Sequence, residues 1–475
     1  MINLPRRTML KAGGAALASA ASFQPLWAAQ DPDVVVLGAG LAGLNAALLL
    51  EQFGLRVRVL EASTRMGGRL HTLDDVPGRP EAGGSQVGAA YARVVSTAQQ
   101  LGLKLETSAR SPLLRDESMV YFINGKRLTR DEWSRSPDNP FPTALRGMPP
   151  DRALGRLAGI SPLKNISGWA DPVNFRYDVP VSGELKAQGL ANAALHLLEV
   201  NNGYGETLAD TSLLNLYYVQ TNIGEIVKIK GPVQNIVGGN QRLPEAMAKA
   251  LKGDVRLNSR ATAVDVGAKG VTVECADGTR HRARFVVCAL PLPAMRNVRF
   301  SPGLPDRHAE AVQQLAYGQV TQFHLEVLKP FWESEGVSPY LWSDGPIERI
   351  FPQDAKGNGN AECLTVWING AGTASWDVLG DADAQQRLMS ELARIYPSSL
   401  GAVRLARRVA WQQSPLTGGA WANWRPGQIS RYAQALGVPH GRLHFAGEHT
   451  GRAIRGMEAA MESGERAATE ILGLL

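Results

Sequence analysis

Cysteine is scarce in this 475-residue chain, which carries only Cys275, Cys288 and Cys363. The count is odd and no two cysteines are spaced as CxxC, so the sequence predicts neither a disulfide framework nor a zinc site. The eight histidines show no HExxH or other paired ligand spacing. We therefore predict no metal centre.

Blocks of basic residues are also missing, although the formal net charge is +6. Three of the 50 basic residues, Arg6, Arg7 and Lys11, lie within residues 1–29, a segment without acidic residues. The remainder has 47 basic and 44 acidic residues, a net charge of +3. A chain of this balance without a Lys/Arg-rich run is not expected to bind nucleic acid.

The first 30 residues contain no apolar run long enough for a stable membrane span. They read MINLPRRTMLKAGGAALASAASFQPLWAAQ, with Arg6-Arg7 before a short region rich in Ala and Gly. This pattern resembles a twin-arginine export signal, which carries folded proteins. We expect residues 1–30 to be such a signal, with an unfixed cleavage site and a periplasmic or secreted mature protein; the alternative is a chance Arg pair before an ordinary helix.

A dinucleotide-binding pattern follows directly. Val34 to Leu37 is a continuous apolar run, typical of a strand buried on both faces. The spacing of Gly38, Gly40 and Gly43 predicts a tight turn, a close backbone approach to a pyrophosphate and close helix–strand packing. The segment from Leu44 to Phe53 predicts a helix, whose start would direct free N–H groups at the phosphates. Glu61, which ends the next predicted strand, is placed to accept hydrogen bonds from a ribose.

The residues after Glu61 distinguish FAD from NAD. The segment LEASTRMGGRLHT adds a second glycine pair and an arginine, and resembles the extended motif of FAD enzymes of the amine oxidase and glutathione reductase groups. The segment EAGGSQVG resembles the turn that passes under the flavin in amine oxidases. With a later strand near Ala261 and the C-terminal segment described below, the candidate FAD contacts are Gly38, Gly40, Leu41, Ala42, Glu61, Ala62, Arg65, Gly68, Arg69, Gly83, Gly84, Ser85, Gln86, Ala261, Gly447, Glu448 and Met457.

The C-terminal segment GRLHFAGEHTGRAIRGMEAAMESGERAATEIL predicts a strand, a turn at Gly447-Glu448, and a helix beginning near Gly456. Such a helix N-terminus would stabilise negative charge on the flavin pyrimidine. Together these segments resemble the flavin-dependent amine oxidase family, of the monoamine oxidase and L-amino acid oxidase type, from Asp33 to Leu474. FAGEHT is similar to the amino acid oxidase version, whereas GGSQVG is similar to the monoamine oxidase version.

The resemblance implies an α/β fold with an α+β substrate domain. A Rossmann-like FAD-binding domain in discontinuous pieces would carry a substrate domain of mixed sheet and helices. After the signal, the predicted FAD-binding pieces are residues 31–88, 234–295 and 406–475. The predicted substrate-domain pieces are residues 89–233 and 296–405.

The resemblance also implies the chemistry. Members of the family transfer a hydride from the carbon next to an amine nitrogen to flavin N5, and the imine hydrolyses to an aldehyde or keto acid. Oxygen usually reoxidises the flavin and yields hydrogen peroxide. The expected partners are a small-molecule amine and oxygen, and relatives are often homodimers.

Around the flavin, the segment VAWQQSPLTGGAWANW supplies the catalytic candidates. Trp411 matches an aromatic beside the isoalloxazine, and Trp421 matches one wall of an aromatic cage around the substrate amine. Ala420 matches the position of the flavin-bonded cysteine of animal monoamine oxidases, so we expect non-covalent FAD. Gly418 and Gly419 are expected to let the backbone approach the flavin, whereas Trp424 is assigned to core packing.

Two positions depart from the family pattern. The second cage aromatic would fall at or next to Gly456, where no side chain is available. The lysine that many members use to hold a water near the flavin falls at Asn297, with Arg296 beside it. A periplasmic electron acceptor such as a cytochrome is therefore an alternative to oxygen.

Other activities remain open on the sequence alone. An L-amino acid oxidase would need an arginine for the substrate carboxylate, and Arg296 and Arg455 are unranked candidates. A flavin desaturase or isomerase acting on an apolar substrate is a third possibility, against which Trp421 and FAGEHT argue. The sequence does not identify the amine.

Overall fold

The structure is a computed structural model that describes residues 31–107, 119–148, 150–353 and 360–475. The predicted export signal lies outside the described residues. The described residues contain both helices and strands, with several mixed sheets, as in a mixed α/β fold.

The strands of the described residues are numbered in chain order. They are β1 (Val34–Leu37), β2 (Val57–Leu60), β3 (His71–Thr72), β4 (Glu81–Gly83), β5 (Leu105–Thr107), β6 (Val120–Ile123), β7 (Lys126–Leu128), β8 (Gln234–Ile236), β9 (Val255–Arg256), β10 (Ala261–Val266) and β11 (Val271–Cys275). They continue with β12 (Arg280–Ala283), β13 (Phe285–Cys288), β14 (Arg299–Ser301), β15 (Ala316–Tyr317), β16 (Val320–Val327), β17 (Leu341–Ser343), β18 (Arg349–Gln353), β19 (Cys363–Asn369), β20 (Val403–Ala410), β21 (Ala422–Asn423) and β22 (Leu443–Phe445).

The α-helices of the same residues are numbered likewise. They are α1 (Leu41–Gln52), α2 (Ala92–Gln100), α3 (Arg130–Arg135), α4 (Pro150–Leu157), α5 (Val181–Ala187), α6 (Asn192–Glu199), α7 (Leu213–Ile229) and α8 (Arg242–Ala250). They continue with α9 (Leu292–Met295), α10 (Asp306–Gln314), α11 (Phe331–Ser334), α12 (Ala374–Asp377), α13 (Asp381–Ile395), α14 (Gln428–Tyr432) and α15 (Met457–Leu472).

A parallel sheet in the order β22-β13-β1-β2-β9 draws strands from all three predicted FAD-binding pieces. Its central strand β1 pairs in register with β13 on one side and β2 on the other, and its four valine and leucine side chains are fully buried. Because every strand runs in the same direction, the carboxyl ends of β1, β2, β13 and β22 share one edge of the sheet. A ligand crevice is expected at such an edge.

Two helices cover one face of this sheet at very short range. A Cβ added at Gly43 of α1 would lie 2.1 Å from the carbonyl oxygen of Gly38, and one added at Gly464 of α15 would lie 2.3 Å from that of Ala42. Asn45 of α1 donates from Nδ2 to the carbonyl of Met461 at 2.7 Å. The predicted role of Gly43 in close helix–strand packing is therefore confirmed.

The remaining large sheets are antiparallel or mixed. A four-stranded sheet, β12-β11-β10-β14, carries Ala261 at the start of β10. A seven-stranded sheet, β20-β16-β19-β18-β17-β6-β7, is antiparallel except for the β17–β6 pair. This sheet brings Val320 of β16 and Trp367 of β19 to the cavity described below.

Within the described part of the chain, no helix is both long and apolar enough to cross a membrane. In the same ranges, no three or more His, Cys, Asp and Glu side chains come together as potential ligands of a metal ion.

Candidate active site

One cavity of about 930 Å³ opens at the carboxyl edge of the parallel sheet and extends to the seven-stranded sheet. It is lined by residues that follow β1, β2, β13 and β22, and by aromatic side chains from other parts of the chain. We call the part lined by Gly38, Gly40, Glu61 and Gly447 the cofactor end. The part lined by Tyr91, Trp367 and Trp421 is called the substrate end.

The first turn of the cofactor end is shaped by glycine. Gly38 has a φ of +100°, a conformation that L side chains rarely adopt. A Cβ added at Gly40 would meet no protein atom within 4 Å, so that residue borders open space beside the start of α1. Unpaired N–H groups at a helix start attract phosphate.

Glu61 lies at the carboxyl end of β2 and is held by backbone donors on both oxygens. The N–H of Ala39 donates to Oε2 and the N–H of Ser63 donates to Oε1, each at 2.8 Å. The side chain is buried yet lines the cavity. This arrangement fixes the carboxylate where a ribose hydroxyl can donate to its remaining lone pairs.

Arg69 and Glu448 form a partly buried ion pair between the two ends. Arg69 Nη1 lies 2.8 Å from Glu448 Oε1, and it also donates to the carbonyl of Ala420 at 3.2 Å. Burial raises the pKa of the Glu448 carboxyl, but the charge of Arg69, the neighbouring His449 and the hydrogen bonds from Arg69 and Ala422 together hold the pKa below its usual range. Glu448 Oε1 also accepts the N–H of Ala422, so the pair fixes the strand that follows Trp421.

Arg65 stabilises the loop that follows it through hydrogen bonds to backbone carbonyls. Its guanidinium donates to the carbonyls of Met66, Gly68 and Leu70 at 3.2, 2.7 and 2.9 Å. These bonds hold Gly68, with a φ of +58°, beside Gly40. Arg65 still lines the cavity, so its part in cofactor binding stays a prediction.

Trp411 is buried and donates from Nε1 to the carbonyl of Ala82 at 2.9 Å. A Cβ added at the neighbouring Gly83 would lie 2.9 Å from the Trp411 ring and 2.2 Å from the carbonyl oxygen of Arg69. Glycine at position 83 therefore allows three segments to meet under the centre of the cavity.

Two tryptophans form the aromatic part of the substrate end. Trp421 donates from Nε1 to the carbonyl of Gly203 at 3.1 Å and lies against Gly318, where an added Cβ would approach Nε1 to 2.8 Å. Trp367 donates from Nε1 to Asn369 Oδ1 at 2.7 Å. Sequence reasoning does not find Trp367, because the segment ECLTVWING predicts only a strand. The available signal is the alternation of the strand, which places Trp367 on the same face as Cys363 and Thr365.

The neighbouring residues Arg296 and Asn297 lie in different environments. Asn297 lines the cavity. Arg296 does not line it, because its Nε donates to the carbonyl of Val312 at 2.7 Å and its Nη2 reaches the carbonyl of Leu315 at 3.5 Å. The structure thus brings Asn297, and not Arg296, to the site.

Gly456 lines the cavity at the start of α15, with a φ of +70° and a ψ of −135°. The phenol of Tyr91 lies beside it, since a Cβ added at Gly456 would approach Tyr91 Oη to 3.0 Å. The sequence predicts that no cage side chain is available at Gly456, but it does not predict that Tyr91 lies next to Gly456. The segment that begins at Tyr91 predicts only a helix, and no local signal connects positions 91 and 456.

The structure corrects the interpretation of Gly418 and Gly419. Neither lines the cavity; an added Cβ would lie 2.3 Å from Pro293 at Gly418 and 2.6 Å from Tyr317 at Gly419. Their missing side chains make room for other parts of the chain. The core assignment of Trp424 is confirmed, because its buried ring lies 5.4 Å from that of Trp169.

The predicted site residues thus converge on one cavity. The residues that line it include every candidate FAD contact. They also include the catalytic candidates Trp411, Trp421, Asn297 and Gly456, and Arg296 is the exception. Open space at Gly40, a fixed carboxylate at Glu61 and a continuous path to the aromatic end fit an extended dinucleotide such as FAD.

Comparison with known proteins agrees with this geometry. The family model described as flavin containing amine oxidoreductase matches residues 41–472. Flavin-containing amine oxidase A of Bos taurus is 28% identical over 472 residues, covering 93% of this chain and 85% of the relative. An L-amino-acid oxidase of Demansia vestigiata is 27% identical over 462 residues, covering 92% and 86%.

Solved structures share the fold. Wild-type putrescine oxidase bound to putrescine has a TM-score of 0.76 at 24% identity, covering 93% of this chain and 99% of that one. Cyclohexylamine oxidase from Brevibacterium oxydans IH-35A has a TM-score of 0.76 at 23% identity, covering 94% and 99%. With the family model matching residues 41–472, the chain belongs to the flavin-containing amine oxidoreductase family, and its cofactor is FAD.

Proposed function

We propose that the protein oxidises a small-molecule amine at the carbon next to nitrogen. Amine, oxygen and water would give an aldehyde, ammonia or a smaller amine, and hydrogen peroxide. The observation that carries the proposal is the continuity of the cavity, which joins the FAD cradle to an end lined by Tyr91, Trp367 and Trp421. When bound, FAD supplies the hydride acceptor.

The chain's own contribution is to orient a neutral amine and to exclude water. Among the described residues that line the cavity, the carboxylates are Glu61 and Glu448, and both are bound by protein donors. No carboxylate is thus free at the substrate end to act as a base. Removal from water disfavours an ammonium charge and lowers the amine pKa, so the nitrogen lone pair is available without a side-chain base.

The direct test is an aerobic panel of benzylamine, cyclohexylamine, putrescine, L-leucine and L-phenylalanine with the purified holoprotein. We expect peroxide and ammonia in equal amounts from at least one amine. Bound, reducible FAD with neither product from any compound would contradict the proposal.

We propose that FAD is held without a covalent bond. Ala420 lines the cavity, and no cysteine is among the described residues that line it. Cys275, Cys288 and Cys363 are buried elsewhere as free thiols. Acid precipitation should leave the yellow colour in the supernatant; a yellow pellet would contradict this assignment.

Amino acid oxidation is the second candidate, and we propose Arg455 rather than Arg296 for a substrate carboxylate, although neither lines the cavity. Arg296 is occupied by the carbonyls of Val312 and Leu315. Arg455 is half-buried beside Gly456, lies 5.6 Å over the Tyr218 ring, and has no ion pair with any described residue. Arg455→Gln should raise KM for amino acids and leave KM for simple amines unchanged if the substrate carries a carboxylate.

The electron acceptor is proposed to be oxygen, with a periplasmic one-electron carrier as the alternative. Asn297 lines the cavity, and no lysine does so within the described residues, which favours testing the alternative. Turnover should be compared between air and an anaerobic assay with ferricyanide or cytochrome c. A much higher anaerobic rate would identify a dehydrogenase.

Export by the twin-arginine route is likewise our proposal, supported by Arg6-Arg7 and the apolar segment after them. Cells that express the full chain should contain the protein in the periplasmic fraction. Arg6→Lys combined with Arg7→Lys should retain it in the cytoplasm. Equal distribution of the two forms would contradict the proposal.

A further inference from the structure

Two helix starts meet at the substrate end. Tyr91 precedes α2 as its N-cap, and Gly456 precedes α15 as its N-cap. Glu458 in the first turn of α15 joins the two, because its buried carboxylate accepts the N–H groups of Arg93 at 3.1 Å and Val94 at 3.3 Å. Glu458 thereby fixes the position of Tyr91 relative to Gly456.

The Tyr91 side chain is directed at this junction and lines the cavity. Its hydroxyl lies 3.0 Å from the position that a Cβ at residue 456 would occupy. No described residue forms a hydrogen bond with this hydroxyl, although the N–H of Tyr91 donates to Gly88. A half-buried hydroxyl that lines a cavity without a protein partner is available to a ligand that enters the cavity.

The hydroxyl is neutral under ordinary conditions. Burial raises the pKa of Tyr91 to about 12, with Arg455 lowering it and Glu458 raising it. The oxygen of a neutral phenol can accept from an amine N–H and so orient the amine while its lone pair stays free. The two charged groups near it are Arg455, without an ion pair in the described chain, and Glu458, which is bound to Arg93.

We propose that Tyr91 is a substrate-binding residue whose hydroxyl hydrogen-bonds the amino nitrogen of the substrate, in the space that Gly456 leaves free of a side chain. Tyr91 thus supplies a further aromatic boundary beside Trp367 and Trp421. The inference rests on the proposed amine oxidation, since it assigns the group that orients the amine.

The test compares wild type with Tyr91→Phe as holoproteins. The probe is α,α-dimethylbenzylamine, which has no hydrogen on the carbon next to nitrogen and is not oxidised. We expect its Kd, followed through the flavin absorbance and the thermal midpoint, to rise about three- to tenfold, the range for one lost hydrogen bond. FAD content and the absorbance without probe should stay unchanged.

Tyr217→Phe is the matched control. Its hydroxyl donates to the carbonyl of Ala158 at 3.1 Å, and the side chain does not line the cavity. This variant should lower the thermal midpoint and leave the Kd of the probe unchanged. An equal rise of Kd in both variants would show a general structural effect and overturn the inference.

Other results also overturn it. An unchanged Kd in Tyr91→Phe would remove the hydroxyl from substrate binding. An altered absorbance of bound FAD without probe would place the hydroxyl on the flavin instead. If wild type oxidises no amine and does not bind the probe, both the proposed function and the inference fail; if wild type does both and Tyr91→Phe matches it, the inference alone fails.

Gly456→Ala provides an independent readout of the same contact. The new Cβ would lie 3.0 Å from the Tyr91 hydroxyl and would also strain a backbone with a φ of +70°, so the single variant should weaken probe binding for both reasons, of which only the first depends on Tyr91. In a Tyr91→Phe background, the same substitution should raise the Kd of the probe by a smaller factor, because the hydroxyl oxygen that the new Cβ approaches is absent. Additive effects on Kd in the double variant would contradict the proposed juxtaposition.

Discussion

At the cofactor end of the cavity the chain presents backbone and glycine, whereas at the substrate end it presents aromatic side chains. Side chains of the cofactor end are already bonded within the protein: Glu61 to two N–H groups, and Arg69 to Glu448. At the substrate end the Tyr91 hydroxyl has no partner in the described chain. The first end is shaped for one fixed ligand, and the second retains a hydroxyl group that is available to a ligand.

The largest expected effect comes from Gly43→Ala at the cofactor end. The new Cβ would lie 2.1 Å from the Gly38 carbonyl and 3.0 Å from Val36. This clash with backbone should exceed the gain in helix propensity and lower the free energy of unfolding by about 3 kcal/mol or more. Denaturant unfolding of the protein without FAD measures the change.

Gly40→Ala is the control for that prediction. Its φ of −81° suits alanine, and the added Cβ would meet no protein atom within 4 Å. Stability without FAD should change by less than about 1 kcal/mol, the range of an N-cap substitution. FAD affinity should nevertheless fall, because the Cβ enters the cavity. Normal FAD affinity would show that the cofactor does not pass Gly40.

Trp421→Ala addresses the substrate end. Loss of a large aromatic surface should lower kcat/KM for the best amine on the order of 100-fold and leave FAD content unchanged. Trp424→Phe is the comparison, because Trp424 is buried against Trp169. It should reduce stability without changing KM. Similar kinetics in the two variants would refute the assignment of Trp421.

The smallest effect concerns two carboxyls that do not line the cavity, the buried Glu348 and the half-buried Glu81. Burial raises the pKa of Glu81 to about 7 and the pKa of Glu348 to about 7. Glu81 accepts hydrogen bonds from Asn240 and Thr72, and Glu348 accepts hydrogen bonds from Asn201 and Asn369. Both pKa values lie above the unfolded value of 4.5, so their stabilisation is complete below about pH 4.5 and is lost as the pH rises through 7.

Each carboxyl should therefore lower the free energy of unfolding by roughly 2 kcal/mol between about pH 5 and pH 7. Glu348→Gln should remove the pH-dependent loss of stability that comes from Glu348. Both donors to Glu348 bind Oε2, and the amide oxygen of glutamine can accept the same hydrogen bonds. Glu81→Gln should remove the loss that comes from Glu81. An unchanged pH profile in both variants would contradict these pKa assignments.

The two ends also differ in how far the sequence predicted them. The cofactor end comes from short contiguous segments, and β1 was predicted with its observed bounds, while α1 begins three residues before the predicted Leu44. Local rules suffice there, because a turn, a helix start and a terminal acid are neighbours in sequence.

The substrate end joins Tyr91, Asn297, Trp367, Trp421 and Gly456, which are far apart in the chain. Trp421, Asn297 and Gly456 were found through resemblance to a family, whereas Tyr91 and Trp367 required the packing of α2 on α15 and of β19 on β16. Arg296 and Gly418 show the same limit: their partners, Val312 and Pro293, lie on segments that no local pattern connects to them.

Anaerobic titration of the holoprotein with amines tests the central claim most directly, because it does not depend on the electron acceptor. The account predicts that at least one amine bleaches the absorbance of bound FAD at about 450 nm. Bleaching of Trp421→Ala should require a much higher concentration of that amine. Bound FAD that dithionite bleaches, but that no amine or amino acid of the panel bleaches, would contradict the account.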